Sequence, residues 1–122
     1  MKTTRTLLTA LLFAPLAALQ AAEFHVAPTG NDANAGTEAK PFATLERARE
    51  TVRALKTREG ATVCVRAGTY FLKEPRVFTP EDSGAKDRPV TYVAAPGEEP
   101  VISGGMPITG WRQEGKLLVT TV

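Results

Sequence analysis

The sequence predicts an all-β fold, a β-solenoid whose short strands stack in successive coils behind one N-terminal helix. The apolar pattern changes from helical to extended at Gly60, and the extended segments after it are short and separated by turn-forming residues. Val63, Val90 and Leu117, which begin three of these segments, are 27 residues apart in both steps. An interval of this size, filled by two or three strands, is typical of one solenoid coil. A β-sandwich is the alternative, but the Asn-Gly and Asp-Gly hairpin turns common in sandwiches do not occur after Gly60.

Residues 1–22 have the layout of a secretory signal peptide. Two basic residues precede an apolar run from Leu7 to Leu19, and small residues follow it. The run is too short to cross a bilayer, which takes about 20 residues. We therefore expect cleavage after Ala21 or Ala22 and a secreted or periplasmic protein without a membrane span. An amphipathic or buried N-terminal helix is the alternative interpretation.

The charge balance argues against a nucleic-acid partner. Lys2 and Arg5 account for the whole net charge of +2, so removal of the signal peptide leaves equal numbers of basic and acidic side chains. No basic field then remains to bind phosphates. The single cysteine, Cys64, excludes an internal disulfide, and the sequence has no Cys/His cluster with zinc spacing.

Residues 23–60 are predicted to form a short strand, a loop and an amphipathic helix. Phe24–Val26 is the strand, and the loop after it is rich in Gly, Asn, Asp and Pro. The helix is expected near residues 44–57, with Thr44 as its N-cap. Its apolar stripe has helical spacing and contains Leu45, Ala48, Val52 and Leu55. A helix of this kind, placed before the first coil, is predicted to cap the exposed end of the solenoid.

The charged residues of this helix are interpreted as a solvated face. Glu46 with Arg49, and Glu50 with Arg53, are three residues apart and are expected to pair there.

Residues 61–122 are predicted to form the first coils. Extended segments are expected within Thr62–Leu72 and at four further places: Arg76–Thr79, Val90–Ala94, Val101–Ser103 and Leu117–Val122. The last of these ends the chain in an uncapped apolar run, which predicts a truncated solenoid and self-association through its open C-terminal coil.

Several stretches together resemble the N-terminal part of secreted bacterial right-handed parallel β-helix proteins of the pectate-lyase-like superfamily. They are "FHVAPTGNDANAGTEAKPFATLERARETVRALK", "VCVRAGTYFL", "PVTYVAAPGEEPVISGG" and "ITGW". The resemblance covers Phe24 to Trp111 and implies a right-handed β-helix with an N-terminal capping helix. Many members of the superfamily resemble glycoside hydrolases or polysaccharide lyases. Their catalytic residues belong to later coils, and no position in this chain matches them.

The loop "GNDANAG" is predicted to serve as turn chemistry, with calcium binding as the alternative. Asn31, Asp32 and Asn34 offer oxygen ligands. An EF-hand-type loop needs a carboxylate at its twelfth position, which counted from Asp32 is Ala43.

The remaining chemistry-bearing residues receive structural interpretations. Glycoside hydrolysis needs two carboxylates flanking the bond, but the pairs Glu81-Asp82 and Glu98-Glu99 are neighbours within turns and are interpreted as solvated. Arg66 is the one candidate base for a lyase and is interpreted as structural.

His25, the only histidine, has no nucleophile that spacing places beside it. Cys64 is predicted either to lie on the side of its strand opposite the core valines or to pack in a neighbouring layer. Trp111, Tyr70 and Tyr92 are either a sugar-stacking platform or strand residues that pack a core.

We therefore expect the N-terminal fragment of a secreted, polysaccharide-active β-helix protein, inactive alone, whose polysaccharide contacts lie in downstream coils. The alternative is a non-catalytic β-helix segment of an adhesin-like surface protein. No catalytic, cofactor-binding or metal-binding residue is predicted.

Overall fold

The computed structural model describes residues 21–55 and 60–122, so the predicted signal peptide lies outside the described residues except for its last two positions. The described chain is mostly β-structure with a single α-helix, as predicted. In chain order its elements are β1 (Ala22–Val26), α1 (Leu45–Ala54), β2 (Ala61–Val65), β3 (Gly68–Phe71), a 3-10 turn (Pro80–Asp82), β4 (Val90–Ala94), β5 (Pro100–Ser103), β6 (Arg112–Glu114) and β7 (Leu117–Val119). Within these ranges, no helix has the length and apolar character needed to cross a membrane.

Three strands form a parallel sheet in the order β1-β2-β4. Phe24, Val63 and Tyr92 stand side by side across it. The prediction that the segments at Val63 and Val90 are neighbours in one sheet is therefore confirmed. A second parallel pair joins β3 to β5, with Tyr70 opposite Ile102. Parallel neighbours require long crossover connections, which here contain α1 or turn-rich loops.

The third member of the 27-residue series does not continue this sheet. Leu117 begins β7, which pairs antiparallel with β6 in a hairpin. Gly115 closes the turn with a φ of 64°, a left-handed conformation that glycine adopts without strain. The predicted open C-terminal strand is thus half of a hairpin, and this part of the prediction is wrong.

The predicted strand at Arg76–Thr79 is also absent. This segment runs without regular structure into the 3-10 turn. Pro75 and Pro80 flank it, and proline cannot donate a backbone hydrogen bond to a ladder.

The core lies between the inner face of the β1-β2-β4 sheet and α1. Its most deeply buried large side chains are Phe42, Val26, Val52 and Val63. Phe24 stacks on Phe42 with 6.0 Å between ring centroids. Gly36 lies against the Phe42 ring, where a β-carbon would collide with it, and its φ of 77° also requires glycine.

The helix begins at the predicted N-cap. The Thr44 hydroxyl accepts a hydrogen bond from the Arg47 N–H at 3.2 Å. Ala48 and Val52 are buried and Leu45 packs at the edge of the core, but Leu55 is 39% exposed. The predicted burial of Leu55 is wrong because the helix ends at Ala54, which leaves Leu55 as the C-cap beyond the last turn that faces the sheet.

The charged face of α1 is not simply solvated, because residues 76–82 pack along it. Arg49 donates to the Val77 carbonyl at 2.8 Å, and Glu46 pairs with Arg76. Arg53 pairs with Asp82 instead of Glu50. Neither predicted i,i+3 pair forms. Glu50 instead pairs with Arg47 at 3.9 Å, and the other predicted members take partners distant in sequence.

Candidate functional site

The Gly/Asn/Asp loop is built around Asp32. One carboxylate oxygen of Asp32 accepts hydrogen bonds from the Ala43 and Thr44 N–H groups at 2.8 and 2.9 Å, and the other accepts from the Thr44 hydroxyl at 2.8 Å. Asn34 donates its side-chain amide to the Pro41 carbonyl at 2.9 Å. These contacts fix the start of α1, so the turn interpretation accounts for the carboxylate that a calcium site would have used.

The acidic pair Glu81-Asp82 does not provide a general acid. Asp82 is only 6% exposed, which corrects its interpretation as a solvated turn residue. Its carboxylate accepts a hydrogen bond from Arg53 Nη2 at 2.7 Å and from the Thr79 N–H at 2.7 Å. The Arg53 hydrogen bond holds the pKa of Asp82 well below its usual range. A carboxyl held ionised in this way cannot donate a proton near neutral pH.

Glu98 and Arg66 form a second ion pair, 3.0 Å apart between Glu98 Oε1 and Arg66 Nε. The other Glu98 oxygen accepts the Ala67 N–H at 2.6 Å, and this backbone hydrogen bond is the main reason the pKa of Glu98 is lowered. Glu98 is therefore a fixed, half-buried anion, which corrects its interpretation as a solvated residue, whereas Glu99 is exposed. Arg66 has the structural role predicted for it.

The Arg66–Glu98 pair lines a cleft of about 520 Å³ on the side of the molecule. Thr29, Glu38 and the apolar surface of Pro28 form other parts of its wall. The cleft offers polar groups of both charges, but the two charged groups at its centre are already paired with each other. It has the character of a polar surface cleft: no histidine or cysteine is among its described lining residues, and Glu38 is its one acid outside the Arg66–Glu98 pair.

The three aromatic candidates do not form a shared sugar-stacking surface. Tyr70 is buried, and its hydroxyl lies 3.0 Å from the Val26 carbonyl and 2.9 Å from the Arg66 carbonyl. Tyr92 is half-buried on the core side, edge-on to Phe78. Trp111 is exposed and donates its indole N–H to the Ile108 carbonyl at 3.0 Å. The core interpretation therefore holds for the two tyrosines.

One cluster of reactive side chains was missed by sequence reasoning. Glu23 and His25 on β1 meet Cys64 on β2, and their ligand-type atoms all lie within 4.8 Å of one another. Glu23 Oε1 is 3.1 Å from His25 Nε2 and 3.5 Å from Cys64 Sγ. Burial, followed by the Glu23 hydrogen bond, raises the pKa of the Cys64 thiol.

The sequence signal for this cluster was present but needed the register. Period-two alternation places Glu23 and His25 on one face of β1, and Cys64 on the outer face of β2 as predicted. Only the pairing of His25 with Cys64 across the two parallel strands brings the three together. Without that register, the 38 residues between His25 and Cys64 leave the distance between these side chains undetermined.

Comparisons with known proteins place this fold among carbohydrate-active proteins. No protein-family model matches the chain. Protein YwoF of Bacillus subtilis (strain 168) is 39% identical over 80 residues, which are 66% of this chain and 15% of YwoF. A solved glycoside hydrolase is 41% identical with a TM-score of 0.73, over 80% of this chain and 17% of that chain.

Two further solved structures are similar. A rhamnogalacturonan lyase is 29% identical with a TM-score of 0.52, over 66% of this chain and 21% of that chain. The complex of XylC with xylose is 35% identical with a TM-score of 0.56, over 75% of this chain and 13% of that chain. The chain shares the fold of part of these proteins, which include a glycoside hydrolase and a polysaccharide lyase. It spans only a small part of each of these proteins.

Proposed function

We propose that this chain is the N-terminal cap and opening coils of a secreted, right-handed parallel β-helix protein that acts on a polysaccharide. The observation that carries the proposal is the similarity to the glycoside hydrolase, at 41% identity over 80% of the chain. At that identity the two proteins share many amino-acid residues as well as the path of the backbone. The second neighbour supports a polysaccharide substrate, because its name, rhamnogalacturonan lyase, refers to an enzyme that acts on a polysaccharide.

The strand pairing supports the β-helix part of the proposal. Two parallel ladders, β1-β2-β4 and β3-β5, advance in the same chain direction, as the sides of successive coils do. Parallel crossover connections within a sheet are right-handed in about 98% of cases. A parallel β-bridge joins Val26 to Phe42 on the side of β1 that does not pair with β2. The loop before α1 therefore covers this edge of the sheet. The opposite edges, on β4 and β5, have no further strand among the described residues.

The side-chain chemistry supports catalysis elsewhere in the longer protein. Glycoside hydrolysis takes two carboxyl groups about 5–9.5 Å apart across the substrate, one of them able to hold a proton. Within the described ranges, the two acids with the most specific environments, Asp82 and Glu98, are fixed as anions by Arg53 and by Ala67 with Arg66. These acids stabilise the first coils and leave the reaction to residues in coils that follow.

The test compares two proteins made without the signal peptide: this chain, and the same chain extended through the downstream genomic reading frame. Both are incubated with pectin, rhamnogalacturonan, xylan and fucosylated glycans, and reducing ends and unsaturated sugars are measured. We expect no product from the shorter protein and product from the longer one. Product release by the shorter protein would contradict the proposal.

The downstream sequence separates the enzyme from the adhesin-like alternative. Clustered Asp, Glu, Arg or His residues on one coil face would support the enzyme. Repetitive polar coils, together with an inactive extended protein, would favour a surface interaction protein instead.

A further inference from the structure

The cluster of Glu23, His25 and Cys64 brings together the only histidine and the only cysteine of the chain. Neither packing of the core nor the catalysis proposed for the longer protein explains why these three side chains lie together. Thiolate, imidazole and carboxylate are the three side-chain groups that bind zinc in proteins. The cluster therefore contains one of each type of zinc ligand.

The distances fit a tetrahedral ion. Zinc binds nitrogen and oxygen at about 2.0–2.1 Å and sulfur at about 2.3 Å, which sets nitrogen and oxygen ligands about 3.3 Å apart and sulfur and oxygen ligands about 3.6 Å apart. The corresponding separations are 3.1 Å between His25 Nε2 and Glu23 Oε1, and 3.5 Å between Cys64 Sγ and Glu23 Oε1. Two edges of the tetrahedron are thus already formed by the fold.

The surroundings suit a divalent cation that reaches the site from solvent. Cys64 is buried and His25 is mostly buried, whereas the Glu23 side chain is 60% exposed. A thiolate and a carboxylate together balance the two positive charges of the ion.

We propose that Glu23, His25 and Cys64 bind a zinc-class divalent metal ion, with water at the fourth position. Because two ligands lie on β1 and one on β2, the ion ties the first strand of the sheet to the second. Binding displaces the thiol proton to solvent, leaving a sulfur–metal bond.

The test uses tag-free protein, since an added histidine tag would bind the same metals. Titration with Co²⁺ alone is expected to give a sulfur-to-cobalt charge-transfer band in the near ultraviolet that saturates at one equivalent and is displaced by Zn²⁺. Zinc is expected to raise the melting temperature and to slow alkylation of Cys64 by iodoacetamide. Absence of the band in the unsubstituted protein would overturn the proposal.

Three variants assign the ligands. Cys64→Ser is expected to abolish the charge-transfer band. His25→Gln and Glu23→Gln are each expected to weaken zinc binding by at least about tenfold, the smallest loss typical when even an outer-shell partner of a metal ligand is removed. Glu99→Gln is the matched control, because Glu99 is an exposed acid outside the cluster. It is expected to bind zinc like the unsubstituted protein.

Circular dichroism of each metal-free variant establishes that it is folded. A folded Glu23→Gln or His25→Gln variant with unchanged zinc affinity would overturn the assignment of that ligand. Zinc binding that persists in Cys64→Ser with unchanged affinity would mean adventitious binding only and would overturn the site. If Cys64→Ser does not fold, the cobalt band and the alkylation protection of the unsubstituted protein decide the question by themselves.

Discussion

Single carboxylates in this chain hold separate segments together, and Asp82 is the clearest example. It joins the 3-10 turn to α1 through Arg53 and caps the Thr79 N–H of its own turn. A buried carboxylate with these partners favours its ionised form in the folded state. The stability of the fold therefore depends on the charge of Asp82, a residue that the sequence analysis interpreted as solvent-exposed.

We expect this contact to make unfolding depend on pH. The pKa of Asp82 is depressed in the folded protein, whereas it is about 3.9 in an unfolded chain. The stabilisation is therefore fully present above about pH 4 and is lost as the pH falls further. Asp82→Asn is expected to melt at a lower temperature than the unsubstituted protein at pH 7, and the difference should shrink toward pH 2.

Thermal melts at a series of pH values test this, with Asp87→Asn as the control because Asp87 is an exposed acid in the same segment. In a domain of this size each 1 kcal/mol lost lowers the melting temperature by about 4–8 °C. A constant difference between the unsubstituted protein and Asp82→Asn from pH 7 to pH 2 would contradict the role given to this carboxylate.

At the scale of elements, α1 is fastened to the protein on two sides. Ala48 and Val52 are buried against the sheet, and Arg49 and Arg53 bind residues of the 76–82 segment. The apolar contact excludes water from the core, whereas the arginines order a segment that has no regular structure. The helix is thus the element on which the irregular part of the chain is anchored.

Truncation of two residues of the predicted stripe should have unequal effects. Val52 is 2% exposed, so Val52→Ala removes two buried methyl groups and is expected to cost about 1.5–3 kcal/mol. Leu55 lies at the exposed end of the helix, and Leu55→Ala is expected to cost less than about 1 kcal/mol. Urea unfolding measures both, and a larger loss for Leu55→Ala would mean that the end of the helix is covered.

Periodicity predicted those elements whose contacts follow from local pattern. The stripe through Ala48 and Val52 gave α1, and alternation at Val63 and Val65 gave β2, because in both cases one face must be apolar. Arg76–Thr79 has the composition of a strand, but its arginine is taken by Glu46 of the helix, a contact that no local pattern encodes. The β6-β7 hairpin was missed because its turn uses Gly115 after Glu114, outside the dipeptides that mark hairpins most strongly.

The candidate sites were less predictable than the elements because each depends on a long-range pair. The turn role of Asp32 was predicted, since its partners lie in the loop it closes. The pairing of Arg53 with Asp82 and the meeting of His25 with Cys64 depend on how distant segments align. The charge of a residue and the period-two alternation of a strand limit which residues it can contact. Only the alignment of the distant segments determines which contact forms.

For the molecule as a whole, the two ends of the parallel ladders differ. The loop through Phe42 lies along the outer edge of β1. The edges of β4 and β5 have no partner strand in the described part of the chain, and Ile102 on β5 is 56% exposed. Leu72 and Phe78 line an apolar cavity of about 350 Å³ with Ile102 at this end. An exposed apolar sheet edge with unpaired backbone groups is a template for pairing with another strand.

We therefore expect this chain, made by itself without residues 1–22, to associate through the β4 and β5 edges. Light scattering with size-exclusion chromatography should give masses above that of the monomer, increasing with concentration. Ile102→Lys places a charge on β5, beside its unpaired edge. It is expected to shift the protein toward monomer, because association through this edge would have to bury the lysine. Ile108→Lys is the matched control, since Ile108 is 47% exposed and lies outside the strands. A monomer at all concentrations would contradict association, and equal effects of the two lysine variants would contradict its assignment to this end.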